Sequence, residues 1–194
     1  MRANQETDCG ECRASDVCWQ ERVAPGTGFV ARRVKPLLSG ERLVGQGAPF
    51  EAPFVVTAGC LAVTELLGDG GERIVAFRVP GELVGVESWS GESHRYSAQA
   101  VGPATVCRLR WSASGLAGRP NALVRKLLAK VSAQLDHATR SWPGRSAAER
   151  VRGFVADFAE RSNQDLPMTR AQIGRHLGIA EETVVRAFSR LRSR

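Results

Sequence analysis

Apolar positions follow two different periods along this 194-residue chain. Between residues 30 and 111 they come in short runs separated by glycine. The run "FVVTAGCLAVTELL" is followed by "GDGGE" and then "RIVAFRV", which predicts two strands around a glycine-rich hairpin. "PGELVG" supplies another turn, and "RYSAQAVGPATVCRLRW" predicts a further strand pair. Short strands with turn signals at this spacing describe a compact antiparallel barrel, roll or sandwich.

From "RPNALVRKLLAKVSAQLDHATR" onward the period becomes helical. Pro120 suits a first helical turn, where its missing N–H costs nothing. Val124, Leu128, Val131, Leu135 and Ala138 alternate spacings of four and three, a heptad seam flanked by Leu123 and Leu127. Such a helix is expected to bury one face on its own barrel and another on a twin helix. The plainer reading is an amphipathic helix packed within one subunit. Pro143 and Gly144 end it. Ser146 and Glu149 then form a capping-box pattern before the apolar face Val151, Phe154, Val155 and Phe158. Two short helices follow. Thr169 caps the first, Ile173 and Leu177 are its buried positions, and Gly178 turns the chain. Val184, Phe188 and Leu191 face inward on the second. This is the plan of a helix-turn-helix, whose second helix enters the major groove of DNA.

Charge sharpens the division. Residues 1–118 carry 12 Lys and Arg against 13 Asp and Glu, and residues 119–194 carry 15 against 7, so a charge of −1 adjoins one of +8. A basic C-terminal part beside a near-neutral N-terminal part fits a sensing half and a nucleic-acid-binding half, although a solvated basic surface reads the same way. Hydrolase, nucleotide-binding and metalloprotease motifs are missing. His94, His137 and His176 stand far apart, and "GDGGER" lacks the Lys and Ser or Thr of a phosphate cradle, so no enzyme is expected.

Three of the five cysteines lie in "CGECRASDVC", at Cys9, Cys12 and Cys18; Cys60 and Cys107 follow. The N-terminus is polar, without the apolar core of a secretory signal, and no stretch is long and apolar enough to span a bilayer. The protein is expected to be cytoplasmic and away from membranes, where thiols stay reduced. An odd count also argues against a disulfide framework, which leaves a metal or redox role. Spacing alone suits zinc or idle thiols as well as any other centre.

"MTRAQIGRHLGIAEETVVRAFSRL" resembles the DNA-reading segment of bacterial regulators of the CRP/FNR superfamily. "GRSAAERVRGF" is similar to the start of their DNA-binding domain, and "GERIVAFRVPGELVG" to their sensory β-roll. The resemblance runs in order over about residues 30–192. It implies an α+β chain: a cysteine segment (1–29), an antiparallel, cyclic-nucleotide-binding-like β-roll (30–118), a long dimerisation helix (119–142) and a C-terminal winged helix-turn-helix domain (143–194). Val86 and Tyr96 stand where the cyclic-nucleotide branch carries Glu and Arg, so cAMP is not expected to bind. C-x2-C-x5-C plus one later cysteine is instead the arrangement of the oxygen-sensing FNR regulators. That implies a 4Fe–4S cluster on Cys9, Cys12, Cys18 and Cys107, with Cys60 as a core cysteine. It also implies a homodimer that binds promoter DNA while the cluster is intact and falls apart when oxygen converts it. A zinc site, a thiol redox switch and a small-molecule effector are the alternatives. Lys130 and Asp136 beside the seam are expected to keep the dimer marginal.

The family's base-reading positions correspond to Glu182 and Arg186, four apart on one helical face. A carboxylate accepts from cytosine and Arg forks onto guanine; an i, i+4 ion pair is the bland alternative. Thr169, Arg170 and Arg190 are expected at phosphates. Val185 replaces the serine of FNR proteins and suits a thymine methyl. The turn at residues 68–72 is a candidate contact for RNA polymerase.

Overall fold

The computed structural model describes residues 12–13, 29–89, 91–111, 128–135 and 145–192. The glycine-punctuated part forms eight strands: β1 (Phe29–Arg33), β2 (Arg42–Val44), β3 (Phe54–Ala58), β4 (Leu61–Leu66), β5 (Glu72–Arg78), β6 (Leu83–Val84), β7 (Ser97–Ala100) and β8 (Thr105–Trp111). They build two antiparallel sheets, in the orders β1-β8-β3-β6 and β2-β7-β4-β5. Phe54, Val56, Leu61, Val84, Ala98 and Val106 fill the space between them.

Two pairings differ from the expectation. The run from Phe54 to Leu67 is not one strand: β3 pairs with β6 and β8, while β4 pairs with β5 and β7. The break is at Gly59, where φ is +77° and a Cβ would lie 2.2 Å from Pro103 O, so only glycine lets the chain pass and change sheets. β7 and β8 form as expected but lie in separate sheets. The β4–β5 hairpin is closed by Leu67 N donating to Gly71 O and by the Asp69 carboxylate accepting from Gly71 N.

Side chains alternate along a strand, so each sheet also has an outer face to cover. Val55, Leu83, Cys107 and Leu109 on the first sheet pack with Val131 of helix α1, the helical residues 128–135. The remainder of the expected 119–142 helix, with Val124 and Ala138, lies outside the described residues. Ala62, Ile74 and Phe77 on the second sheet pack against Val151, Phe154, Phe158, Ile173 and Val184.

Those residues come from α2 (Ala147–Ser162), α3 (Arg170–Leu177) and α4 (Glu181–Arg192). Ser146 with Glu149 and Thr169 with Gln172 form complete capping boxes at α2 and α3. Gly178 is the left-handed cap ending α3. Gly174 allows the helix-turn-helix to close, since a Cβ there would lie 2.7 Å from Ile179 O. Residues 145–192 consist of these helices and their turns; the strands of a wing are not among the described residues. No helix among the described residues is long and apolar enough to cross a membrane.

Candidate metal centre and nucleic-acid interface

β8 places Cys107 on the outer face of the first sheet, buried at 7% exposure, opposite Arg33 of β1 and Val55 of β3. Half-buried Cys12 packs against the same cluster of Val55, Leu83, Cys107 and Leu109. Two cysteines remote in sequence therefore share one apolar environment, which Val131 of α1 helps to close. Cys9 and Cys18 lie outside the described residues, among which no group of three or more His, Cys, Asp or Glu side chains is placed to hold a metal. Cys60 belongs to a different cluster, with the DNA-binding helices, at 1% exposure. Burial pushes its thiol up to about 12, and it behaves as the core residue the sequence implied.

α1 meets the roll beside this cluster. Gln134 is buried, accepting from Leu83 N and donating to Leu83 O. Lys130 Nζ donates to Gly81 O at 3.1 Å. Lys130 thus faces the roll, contrary to its expected place as a charge weakening the dimer seam. The seam itself divides. Val131 packs on the roll, whereas Leu128 and Leu135, seven residues apart, are 63% and 58% exposed.

On α4, Val184 and Ala187 are buried and Phe188 and Leu191 pack partly against the core. The opposite stripe is exposed and contains Glu182, Val185, Arg186 and Arg190. Arg186 Nη2 donates to Thr183 Oγ1 at 3.3 Å. Among the described residues no ion pair joins it to Glu182. Thr169 is exposed, but its Oγ1 already accepts from Gln172 N at 3.1 Å. The Arg170 guanidinium lies 3.4 Å from the Phe188 ring centroid, so packing fixes its direction. Arg190 and Arg152 line one cavity of about 190 Å³ with Ala148, Ala187 and Leu191. Arg152 escaped the sequence reading, because only packing of α2 on α4 brings the two arginines together.

The DNA-binding helices dock on the roll through α2 and α3. Phe77 contacts Phe154 and His176, with ring centroids 5.8 and 5.3 Å apart. His176 Nδ1 lies 3.1 Å from Ile74 O, a carbonyl that only accepts, so Nδ1 carries the proton. Burial lowers the pKa of His176 and keeps the ring neutral. Arg161 of α2 pairs with Glu82 of the roll and with Asp157, each at 2.8 Å. Arg175 reaches Glu72 at 3.3 Å.

Comparison with known proteins agrees with this architecture. Residues 34–113 match the cyclic nucleotide-binding domain family, and residues 149–194 match the Crp-like helix-turn-helix domain family. The transcriptional activator protein Anr of Pseudomonas protegens is 31% identical over 206 aligned residues, covering 98% of this chain and 84% of that protein. The nitrogen fixation regulation protein FixK of Bradyrhizobium diazoefficiens is 32% identical, covering 94% and 83%. The solved structure of FixK2 from Bradyrhizobium japonicum superposes with a TM-score of 0.72 at 35% identity, covering 84% of this chain and 85% of that one. With a β-roll followed by a helix-turn-helix, and relatives of this similarity over nearly its whole length, the chain belongs to the CRP/FNR family of transcriptional regulators.

Proposed function

We propose that this regulator senses oxygen through a 4Fe–4S cluster on Cys9, Cys12, Cys18 and Cys107, and that it dimerises and binds promoter DNA while the cluster is intact. The observation that carries the reading is that Cys12 and Cys107 pack into one apolar cluster closed by Val131. Soft thiolate donors in a dry surrounding fit an iron–sulfur centre, for which four cysteines are the usual ligands. When bound, such a cluster supplies an oxygen-labile centre. The chain does the rest. Strand pairing fixes the backbone of Cys107, and Val131, Gln134 and Lys130 attach α1 to the same corner. Leu128 and Leu135, exposed on α1, would pack on a partner's helix.

On DNA, Glu182 and Arg186 read base edges from the major groove, and Val185 packs on a thymine methyl. Thr169, Arg170 and Arg190 hold phosphates and set the register. A DNA-bound role fits a cytoplasmic protein. RNA polymerase is the expected further partner, at the turn following exposed Leu66 and Leu67.

The test uses chain purified without air and a duplex selected from a random pool. Fluorescence anisotropy and sedimentation are followed before and after oxygen is admitted. The proposal expects a dimer that binds tightly, then a monomer whose affinity falls at least about tenfold, within the usual range of allosteric coupling. Affinity and mass indifferent to oxygen would refute it.

A further inference from the structure

The turn Gly81–Leu83 is a junction of the cysteine segment, α1 and the DNA-binding helices. Gly81 has φ +94°, and a Cβ there would lie 3.2 Å from Arg13 O, so the backbone of the cysteine segment rests on this glycine. α1 grips both ends of the turn, through Lys130 at Gly81 O and Gln134 at Leu83. Between them Glu82 Oε1 accepts from Arg161 Nη1 of α2.

The cysteine segment also reaches α2 directly. Arg13, next to Cys12 in sequence, donates from Nη1 to Arg161 O at 3.0 Å and to Ser162 O at 3.3 Å. These carbonyls belong to the last turn of α2, where a helix runs out of its own amide donors and the macrodipole favours a cation.

We infer that Arg13 is a positioning residue for the DNA-binding domain: it ties the cysteine segment to the end of α2 within one subunit. The inference rests on the cysteine segment being the sensing element, as proposed above. The state of that segment then has two outlets from one corner. Lys130 and Gln134 carry it to α1 and the dimer seam. Arg13, beside the Glu82–Arg161 pair, carries it to the helices that read DNA. The docked arrangement leaves Glu182, Val185 and Arg186 exposed, so the tie favours a domain whose reading face is free.

The experiment compares full-length wild type, Arg13→Ala and Arg13→Lys, all purified without air. It measures iron content, sedimentation, affinity for a selected duplex, and hydrogen exchange in α2, α3 and β5. Arg13→Ala is expected to keep wild-type iron and dimer, lose about fivefold to tenfold in affinity, and exchange faster in α3 and β5. Arg13→Lys, with its charge and one donor kept, recovers part of the loss. Wild-type affinity and exchange in Arg13→Ala overturn the inference. Loss of iron or dimer in that variant does so too, by making Arg13 a structural part of the cysteine segment. If wild type itself carries no iron, the sensing proposal fails, and the tie is judged by exchange alone: faster in Arg13→Ala supports it, unchanged overturns it.

Discussion

Glu82 of the β-roll and Arg161 of α2 form an ion pair at 2.8 Å, with side chains 13% and 12% exposed. Arg161 also donates to Asp157 and to Phe77 O. Burial works against its charge, but Glu82 and Asp157 more than offset that and raise its pKa. The DNA-binding helices are therefore attached to the sensory roll by buried charge as well as by the Phe77–Phe154 contact. Such an attachment is costly to break from one side, because the charge left behind stays out of water.

Glu82→Gln should accordingly destabilise the protein by about 3 kcal/mol, the low end for breaking a buried pair, since Asp157 still faces Arg161. Urea unfolding followed by circular dichroism measures it. A loss under about 1 kcal/mol would place the pair with exposed ones.

Acid should loosen the same interface. His176 is half-buried against Phe77, Phe154 and Ile74 O, with Arg161, Asp157 and Arg78 as the charges around it, and its pKa lies below the ordinary 6.5. The unfolded chain then binds this proton before the folded one does. Its contribution is complete above about pH 6.5 and is lost as pH falls from there through the lowered folded value. Buried His94 shifts in the same direction. Urea midpoints between about pH 8 and pH 5 should fall less in His176→Gln than in wild type, the remainder coming from His94. Equal slopes would remove His176 from the account.

Substitutions on the DNA face should separate into two kinds. Arg186→Ala is expected to cost roughly 1–3 kcal/mol on the preferred duplex and to relax selectivity at one base pair. Arg190→Ala should weaken binding to all sequences alike and reduce the salt slope by about 1. Arg152→Ala should resemble Arg190→Ala, because the two arginines line one cavity. Anisotropy titrations over a salt series, on matched and mismatched duplexes, tell the two patterns apart.

The two faces of α1 should also respond differently. Leu135→Asp places a charge on an exposed face and should leave a folded monomer. Val131→Asp places one against Cys107 and Leu83 and should damage the roll itself. Sedimentation paired with circular dichroism reads both effects; a dimeric Leu135→Asp would move the seam elsewhere.

Local chemistry made much of this molecule legible in its sequence. Ser146, Glu149, Thr169 and Gly178 mark helix ends through bonds to residues three or four away, so their meaning is written beside them. The runs that form β3, β4, β5, β7 and β8 were legible for the same reason; β1, β2 and the two-residue β6, which lies inside the segment read as a turn, were not. Nor was the strand pairing: the break at Gly59 depends on Pro103, and nothing in the apolar run announces it. The heptad spacing identified α1 without saying that Val131 and Lys130 face the roll while Leu128 and Leu135 face away. The contacts of Arg13, Glu82 and His176 join residues remote in the chain, and no local pattern encodes them. Cys12 and Cys107 became a pair on resemblance, and packing brings them into one cluster.

Iron and acid-labile sulfide per chain, measured on wild type, Cys107→Ala and Cys60→Ala purified without air, decide whether these cysteines hold a cluster. About four of each are expected in wild type and Cys60→Ala, and almost none in Cys107→Ala. Zinc in place of iron, or full iron retained without Cys107, would contradict the proposed cluster.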